Sequence, residues 1–168
     1  MKWNYDSVKT SYPYGDTTSY KLGMSFLDGV GDIEDWGCGL AFAKTFVTKS
    51  KYIGLDITPS AFCDKVIDLT TYTSSVDCIF MRHVLEHNHT WKTILENALN
   101  SFQKKMILIL FTPLEPTTRD LNGNPDYSFK LEDITEPITK AKAIFNMKKI
   151  KSETQYGVEY IFYIEKLQ

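Results

Sequence analysis

The sequence has little of what would hold a chain together without a core. Three cysteines occur in 168 residues, Cys38, Cys63 and Cys78. An odd number without close spacing argues against a disulfide framework and suits a reducing compartment. There is no CxxC, and no cysteine stands near a histidine at metal-ligand spacing, so no metal site is expected. Charge of one sign is also missing. A formal net charge of −2 leaves no global basic field for nucleic acid or an anionic membrane. The longest apolar run, Met106 to Phe111, is far too short to span a bilayer. The start, Met1-Lys2-Trp3-Asn4-Tyr5-Asp6, lacks the apolar run of a signal peptide. Repeats and low-complexity tracts are absent as well. A cytoplasmic protein is expected, monomeric or homodimeric, with no nucleic-acid or membrane partner.

What is present is an ordinary globular composition, 43% apolar and 24% charged. The length suggests one domain, 1–168, with room for a core. Residues 1–28 form an arm and a helix. The arm is rich in tyrosine, and Pro13 and Gly15 make it a turn or an extended segment. Its tyrosines cover apolar surface, or Tyr12 and Tyr14 close over a ligand as a lid. Residues 17–28 read as a helix with Tyr20, Met24 and Leu27 on one face.

Strands are predicted at 33–36, 52–56, 65–68, 76–81 and 105–111. Between them lie a helix over 40–49, a helix start at Thr58-Pro59-Ser60 and a helix over 90–102. Residues 112–130 read as a long irregular loop, with prolines at 113, 116 and 125. A broken helical pattern over 131–143 precedes a terminal hairpin, 145–154 and 158–166. The alternation implies an α/β fold: a Rossmann-like, doubly wound, mostly parallel seven-stranded sheet with a C-terminal antiparallel hairpin. Ligands bind such sheets at the carboxyl ends of the strands, where strand order reverses.

One stretch organises the rest: Ile33-Glu34-Asp35-Trp36-Gly37-Cys38-Gly39-Leu40. A strand breaks at two glycines and runs into a predicted helix. Such a turn lets a ligand approach the backbone and offers it N–H groups. A nicotinamide-binding loop wants a third glycine five positions after the first, and Phe42 stands there. Beyond the turn, acids end the second and third strands at Asp56 and Asp68, and a histidine-rich turn follows the fourth.

With these residues the chain resembles the class I S-adenosylmethionine-dependent methyltransferases. The likeness rests on Glu34-Asp35-Trp36-Gly37-Cys38-Gly39, Gly54-Leu55-Asp56, Asp68-Leu69, and Asp77 through His87, with His83-Val84-Leu85-Glu86-His87 its most specific part. The resemblance implies an enzyme with S-adenosylmethionine as cofactor. It places Gly37 and Gly39, with Asp35 and Trp36, at the methionine end. Asp56 would accept from the ribose hydroxyls and Ile57 would pack on adenine. Asp68 and the Leu69 N–H would read the adenine edge. The Arg82 main chain would line the sulfonium end. Ala41 stands where the family often has a third glycine, and its small size should be tolerated.

Methyl transfer from a sulfonium needs alignment above all. A base is needed only where the nucleophile arrives protonated. His83 and His87 are the candidates, each also open to a structural role. The turn after the fourth strand lacks the Asn/Asp-Pro-Pro-aromatic pattern of amino-directed DNA methyltransferases, and no Pro-Cys nucleophile follows. A small-molecule or sugar-like acceptor is expected. A catalytically silent cofactor-binding module serving a partner protein is the alternative.

Overall fold

The computed structural model describes residues 4–115, 118–121 and 124–167. Residues 1–3 of the predicted arm and residues 116, 117, 122 and 123 of the predicted loop lie outside the described residues. In chain order the elements are α1 (Thr18–Leu27), β1 (Ile33–Trp36), β2 (Tyr52–Asp56), β3 (Lys65–Val66), β4 (Val76–Arg82), α2 (Trp91–Ser101), β5 (Phe102–Leu110), β6 (Thr118–Leu121), β7 (Asn124–Tyr127), α3 (Leu131–Lys140), β8 (Ala143–Lys151) and β9 (Val158–Lys166).

Seven strands form one sheet in the order β3-β2-β1-β4-β5-β9-β8. Neighbours from β3 to β5 pair in parallel, whereas β9 runs antiparallel to both β5 and β8. Strand order reverses between β1 and β4, so a cleft opens at their carboxyl ends. The sheet is the predicted Rossmann-like, doubly wound one, closed by its antiparallel pair.

The central strands β4 and β5 are apolar on both faces, as a covered sheet requires. Ile79 and Met81 of β4 point into one core with Leu108, Phe162 and the α2 residues Ile94, Leu95 and Leu99. Cys78 and Phe80 point the other way, into a core with Ile107, Ile161 and the α1 residues Tyr20, Met24 and Leu27. Asp16 Oδ1 accepts the Thr18 N–H at 2.8 Å and so starts α1, while the Thr17 side chain caps nothing. In α3, Pro137 sits inside the helix, and the Lys130 N–H donates to Asp133 Oδ2 at its start.

Three local expectations are corrected. The predicted helix over 40–49 is only a 3₁₀ segment, Phe42–Phe46. Asp28 explains the stop: its carboxylate accepts the N–H groups of Thr48, Lys49 and Ser50, which leads the chain out of helical geometry. No helix follows Thr58-Pro59-Ser60, because Ser60 Oγ accepts the N–H groups of Phe62 and Cys63 in a local turn. Within 112–130, β6 and β7 pair as an antiparallel hairpin. No helix among the described residues is long and apolar enough to cross a membrane.

Candidate functional site

The glycine turn leaves β1 with its geometry fixed by neighbours on both sides. Gly37 has φ +80, and a Cβ built there would lie 2.3 Å from Val84 Cγ2. The close approach that forces glycine here is therefore made by the segment after β4. Gly39 has φ +53 and donates its N–H to Asp56 Oδ2 at 2.8 Å. Ala41, at the position where the resemblance places a third glycine in many members, also takes a left-handed conformation, φ 52. That costs an alanine more than a glycine.

Asp56, at the end of β2, is clamped at both oxygens. Oδ1 accepts the Thr58 N–H at 2.8 Å, opposite the Gly39 bond on Oδ2. Each oxygen keeps a second lone pair for a ligand. Asp35, at the end of β1, is buried, and its Oδ2 accepts the Tyr52 hydroxyl at 2.5 Å. Burial pushes this carboxyl up to about 7, although the Tyr52 bond and the Arg82 charge pull the other way. Asp68 lies on an exposed turn, where Oδ1 accepts from both the N–H and the hydroxyl of Thr70.

Arg82 ends β4, and its guanidinium turns inward. Nε donates to Ser19 Oγ, Nη1 to the Tyr20 hydroxyl, and Nη2 to both Tyr14 O and Glu159 Oε1. The plane also lies over the Tyr20 ring, 4.1 Å from its centroid. One charged group thus joins the N-terminal arm, α1, β4 and β9.

His83 follows directly, with φ 57. A left-handed histidine is uncommon and marks a locally constrained backbone. Its Nε2 lies 2.7 Å from Glu159 Oε1. Burial drives this imidazole down to about 4, with help from Arg82 and against Glu159. Burial alone would raise the Glu159 carboxyl, but the bonds and charges of His83 and Arg82, with Ser19, hold it below its ordinary value. His87 has its own acid: Nδ1 lies 3.1 Å from Asp126 Oδ1 on β7. Burial lowers the His87 pKa, and Asp126 opposes the shift. Asp126 is fixed in turn by the Tyr156 hydroxyl at 3.0 Å and by the Gln155 amide. The Phe111 ring packs between the two histidines, 4.7 Å from His83 and 5.4 Å from His87.

These groups line a cavity of about 390 Å³. Asp35, Gly37, Gly39, Asp56, Ile57, Asp68, Leu69, Arg82, His83, His87 and Tyr14 all reach it. Two residues singled out in the sequence do not. Trp36 is fully buried in the core beneath α2, where its indole N–H donates to Glu34. Tyr12 is 48% exposed and packs against Tyr14 outside the cavity. No motif pointed to Tyr5, Phe111 or Gln155, which also line it, nor to Glu159 and Asp126 behind the histidines. One signal was available for Glu159: a lone acid in the apolar run Val158 to Ile164.

No family model matches this chain, and no curated protein matches it. Solved structures do. The chain is similar to magnesium protoporphyrin IX methyltransferase from Synechocystis PCC 6803 with bound S-adenosylmethionine: TM-score 0.62, 14% identity, 89% of this chain and 76% of that one. It is similar to 1,6-didemethyltoxoflavin-N1-methyltransferase from Burkholderia thailandensis, solved with 1,6-didemethyltoxoflavin and S-adenosylhomocysteine. There the TM-score is 0.70 at 11% identity, over 89% and 77% of the two chains. The N-methyltransferase NodS from Bradyrhizobium japonicum, with S-adenosylhomocysteine, gives 0.64 at 11% identity over 90% and 85%. The chain has the fold of the class I S-adenosylmethionine-dependent methyltransferases.

Proposed function

We propose that the protein is an S-adenosylmethionine-dependent methyltransferase, one domain over residues 1–168, that acts on a small-molecule acceptor in a reducing, cytoplasmic setting. The observation that carries this is Asp56. Its two oxygens are held by the Gly39 and Thr58 amides at the mouth of the β1–β4 cleft, with lone pairs left for two ribose hydroxyls. The rest of the cavity suits the same ligand. Ile57 and Leu69 offer apolar faces to a base, with Asp68 at the edge. Asp35 offers a carboxyl beside the glycine turn for the amino end. Two of the similar structures act, by their names, on magnesium protoporphyrin IX and 1,6-didemethyltoxoflavin, which supports a small acceptor.

When bound, S-adenosylmethionine supplies a methyl group on a good leaving group. The protein's share is alignment: Asp56 fixes the ribose, the glycine turn fixes the methionine end, and His83 and His87 face the acceptor. Tyr14, tied to Arg82 through its carbonyl, closes the cavity against water.

Calorimetry with S-adenosylmethionine, S-adenosylhomocysteine and NAD tests the reading. The first two bind and NAD does not. Asp56→Asn keeps one acceptor oxygen and weakens binding about tenfold or more, the worth of one charge-assisted hydrogen bond. Undiminished binding in that variant sinks the ribose assignment.

A further inference from the structure

The two histidines stand differently towards an acceptor, and His83 is the one whose chemistry is fixed. Glu159 Oε1 receives three donors: Arg82 Nη2 at 2.8 Å, Ser19 Oγ at 3.0 Å and His83 Nε2 at 2.7 Å. Arg82 cannot give up its proton, so Glu159 is held as a carboxylate and acts only as an acceptor. The proton on His83 must therefore sit on Nε2, and Nδ1 carries the lone pair. The ring lines the cavity beside Phe111. Among the described residues the His83 ring bonds through Nε2 alone, which leaves Nδ1 for a ligand in the cavity that the ring lines.

A second feature concerns charge. Among the described residues, Arg82 is the one lysine or arginine that lines the cavity, and Glu159 already opposes its charge. Glu153 and Asp35 line it too. Among the described residues no unopposed lysine or arginine lines the cavity to compensate a carboxylate or phosphate on the acceptor. Aromatic rings from Phe111 and Tyr14 suit a flat molecule.

We infer that His83, positioned by Glu159, is the proton acceptor of the site, and that the methyl acceptor is an uncharged planar molecule bearing an acidic hydroxyl, a phenol or enol. This rests on the methyltransferase reading. The acceptor oxygen donates a lone pair to the methyl carbon. The carbon–sulfur bond breaks and its electron pair stays on sulfur. The hydroxyl proton passes to His83 Nδ1 and from there to water, while Nε2–H stays on Glu159. An imidazole held at about 4 is too weak to ionise a hydroxyl beforehand. It suffices once the oxygen–carbon bond forms, because the oxygen then becomes strongly acidic. That timing favours hydroxyls that are acidic at the outset. His83 is the catalytic residue, and Glu159 is a positioning residue.

The test uses the full chain with S-adenosylmethionine and four ring-matched probes, phenol, catechol, benzylamine and benzoate. Release of S-adenosylhomocysteine reports transfer, and calorimetry on the same samples reports cofactor binding. Transfer is expected to the two phenols and not to benzoate. His83→Gln lowers it about 100-fold with cofactor affinity unchanged. The side-chain ¹H–¹⁵N spectrum of the wild type, which needs no variant, shows His83 as the Nε2–H tautomer at neutral pH. Glu159→Gln lets the Nδ1–H form appear. A His83 that carries its proton on Nδ1, transfer to benzylamine alone, or full activity in His83→Gln overturns the inference. Cofactor binding without transfer to either phenol overturns it too and leaves the methyltransferase reading standing. Failure to bind S-adenosylmethionine overturns that reading instead.

Discussion

Arg82 Nη2 lies 2.8 Å from Glu159 Oε1, and both side chains are almost wholly buried. The pair connects the end of β4 to β9 across β5. It also holds the N-terminal arm, through Tyr14 O, and α1, through Ser19. A buried ion pair gains little net stability from its own attraction, since desolvation offsets it. Breaking it from one side is another matter, because the remaining charge stays buried alone.

Glu159→Ala should therefore destabilise the fold by about 3–5 kcal/mol in urea denaturation, since it leaves the guanidinium uncompensated. Glu159→Gln keeps a carbonyl oxygen for Arg82 and should cost less. Equal losses in the two variants would show that the charge on Glu159 is irrelevant to stability.

Gly37 yields a prediction about pairs. A methyl group at this position meets Val84 Cγ2 at 2.3 Å and also sits at φ +80. Overpacking costs about 1–3 kcal/mol and the left-handed backbone about 1–2 kcal/mol. Gly37→Ala should be strongly destabilised, and adding Val84→Ala should recover the steric part but not the backbone part. Two single-variant losses that simply add in the double variant would remove Val84 as the reason for glycine.

The sheet was readable in the sequence from apolar residues bounded by turn signals and, at β1, from the glycine turn that follows it: 33–36, 52–56 and 158–166 agree with the structure to the residue. The acids that end β1 and β2 could be read from their position beside a glycine turn. What could not be read were partnerships across long separations. Glu159 meets His83 and Ser19 across 76 and 140 residues, and no local pattern encodes that. The helix predicted over 40–49 failed for a similar reason. Its apolar spacing was helical, but the Asp28 carboxylate, some twenty residues earlier, captures the amides at 48–50. The inward turn of Arg82 was hidden as well, because only its main chain was given a role.

His83 contributes a loss of stability on the acid side. Its pKa lies below the ordinary value of 6.5 at about 4. Between these values the unfolded chain binds more protons than the folded one, so stability falls as pH drops from about 6.5 to about 4. A shift of that size amounts to on the order of 3 kcal/mol. His83→Gln removes this contribution, which Asp35 opposes over the same range, so the stability of the wild type relative to the variant should fall as pH drops from about 6.5 to about 4 in denaturation series at stepped pH. A difference that stays constant across that range would place the titration elsewhere.

Asp35 behaves in the opposite sense. Its folded pKa, about 7, lies above the ordinary carboxylate range, so the folded state holds a proton the unfolded state has lost. The stability tied to this group is full at low pH and declines as pH rises towards 7. A cation placed beside the glycine turn favours the ionised carboxyl and lowers that pKa again. Binding of S-adenosylmethionine near pH 6.5 should then release a proton and tighten as pH rises from about 5.5 to about 7.5, since the carboxylate is the form that binds. Calorimetry in buffers of different ionisation enthalpy measures the proton count directly. Asp35→Asn has no proton to lose and should bind with a heat independent of the buffer. Release that persists in Asp35→Asn would assign the proton to another group, and uptake in place of release would put the cationic end of the cofactor away from Asp35.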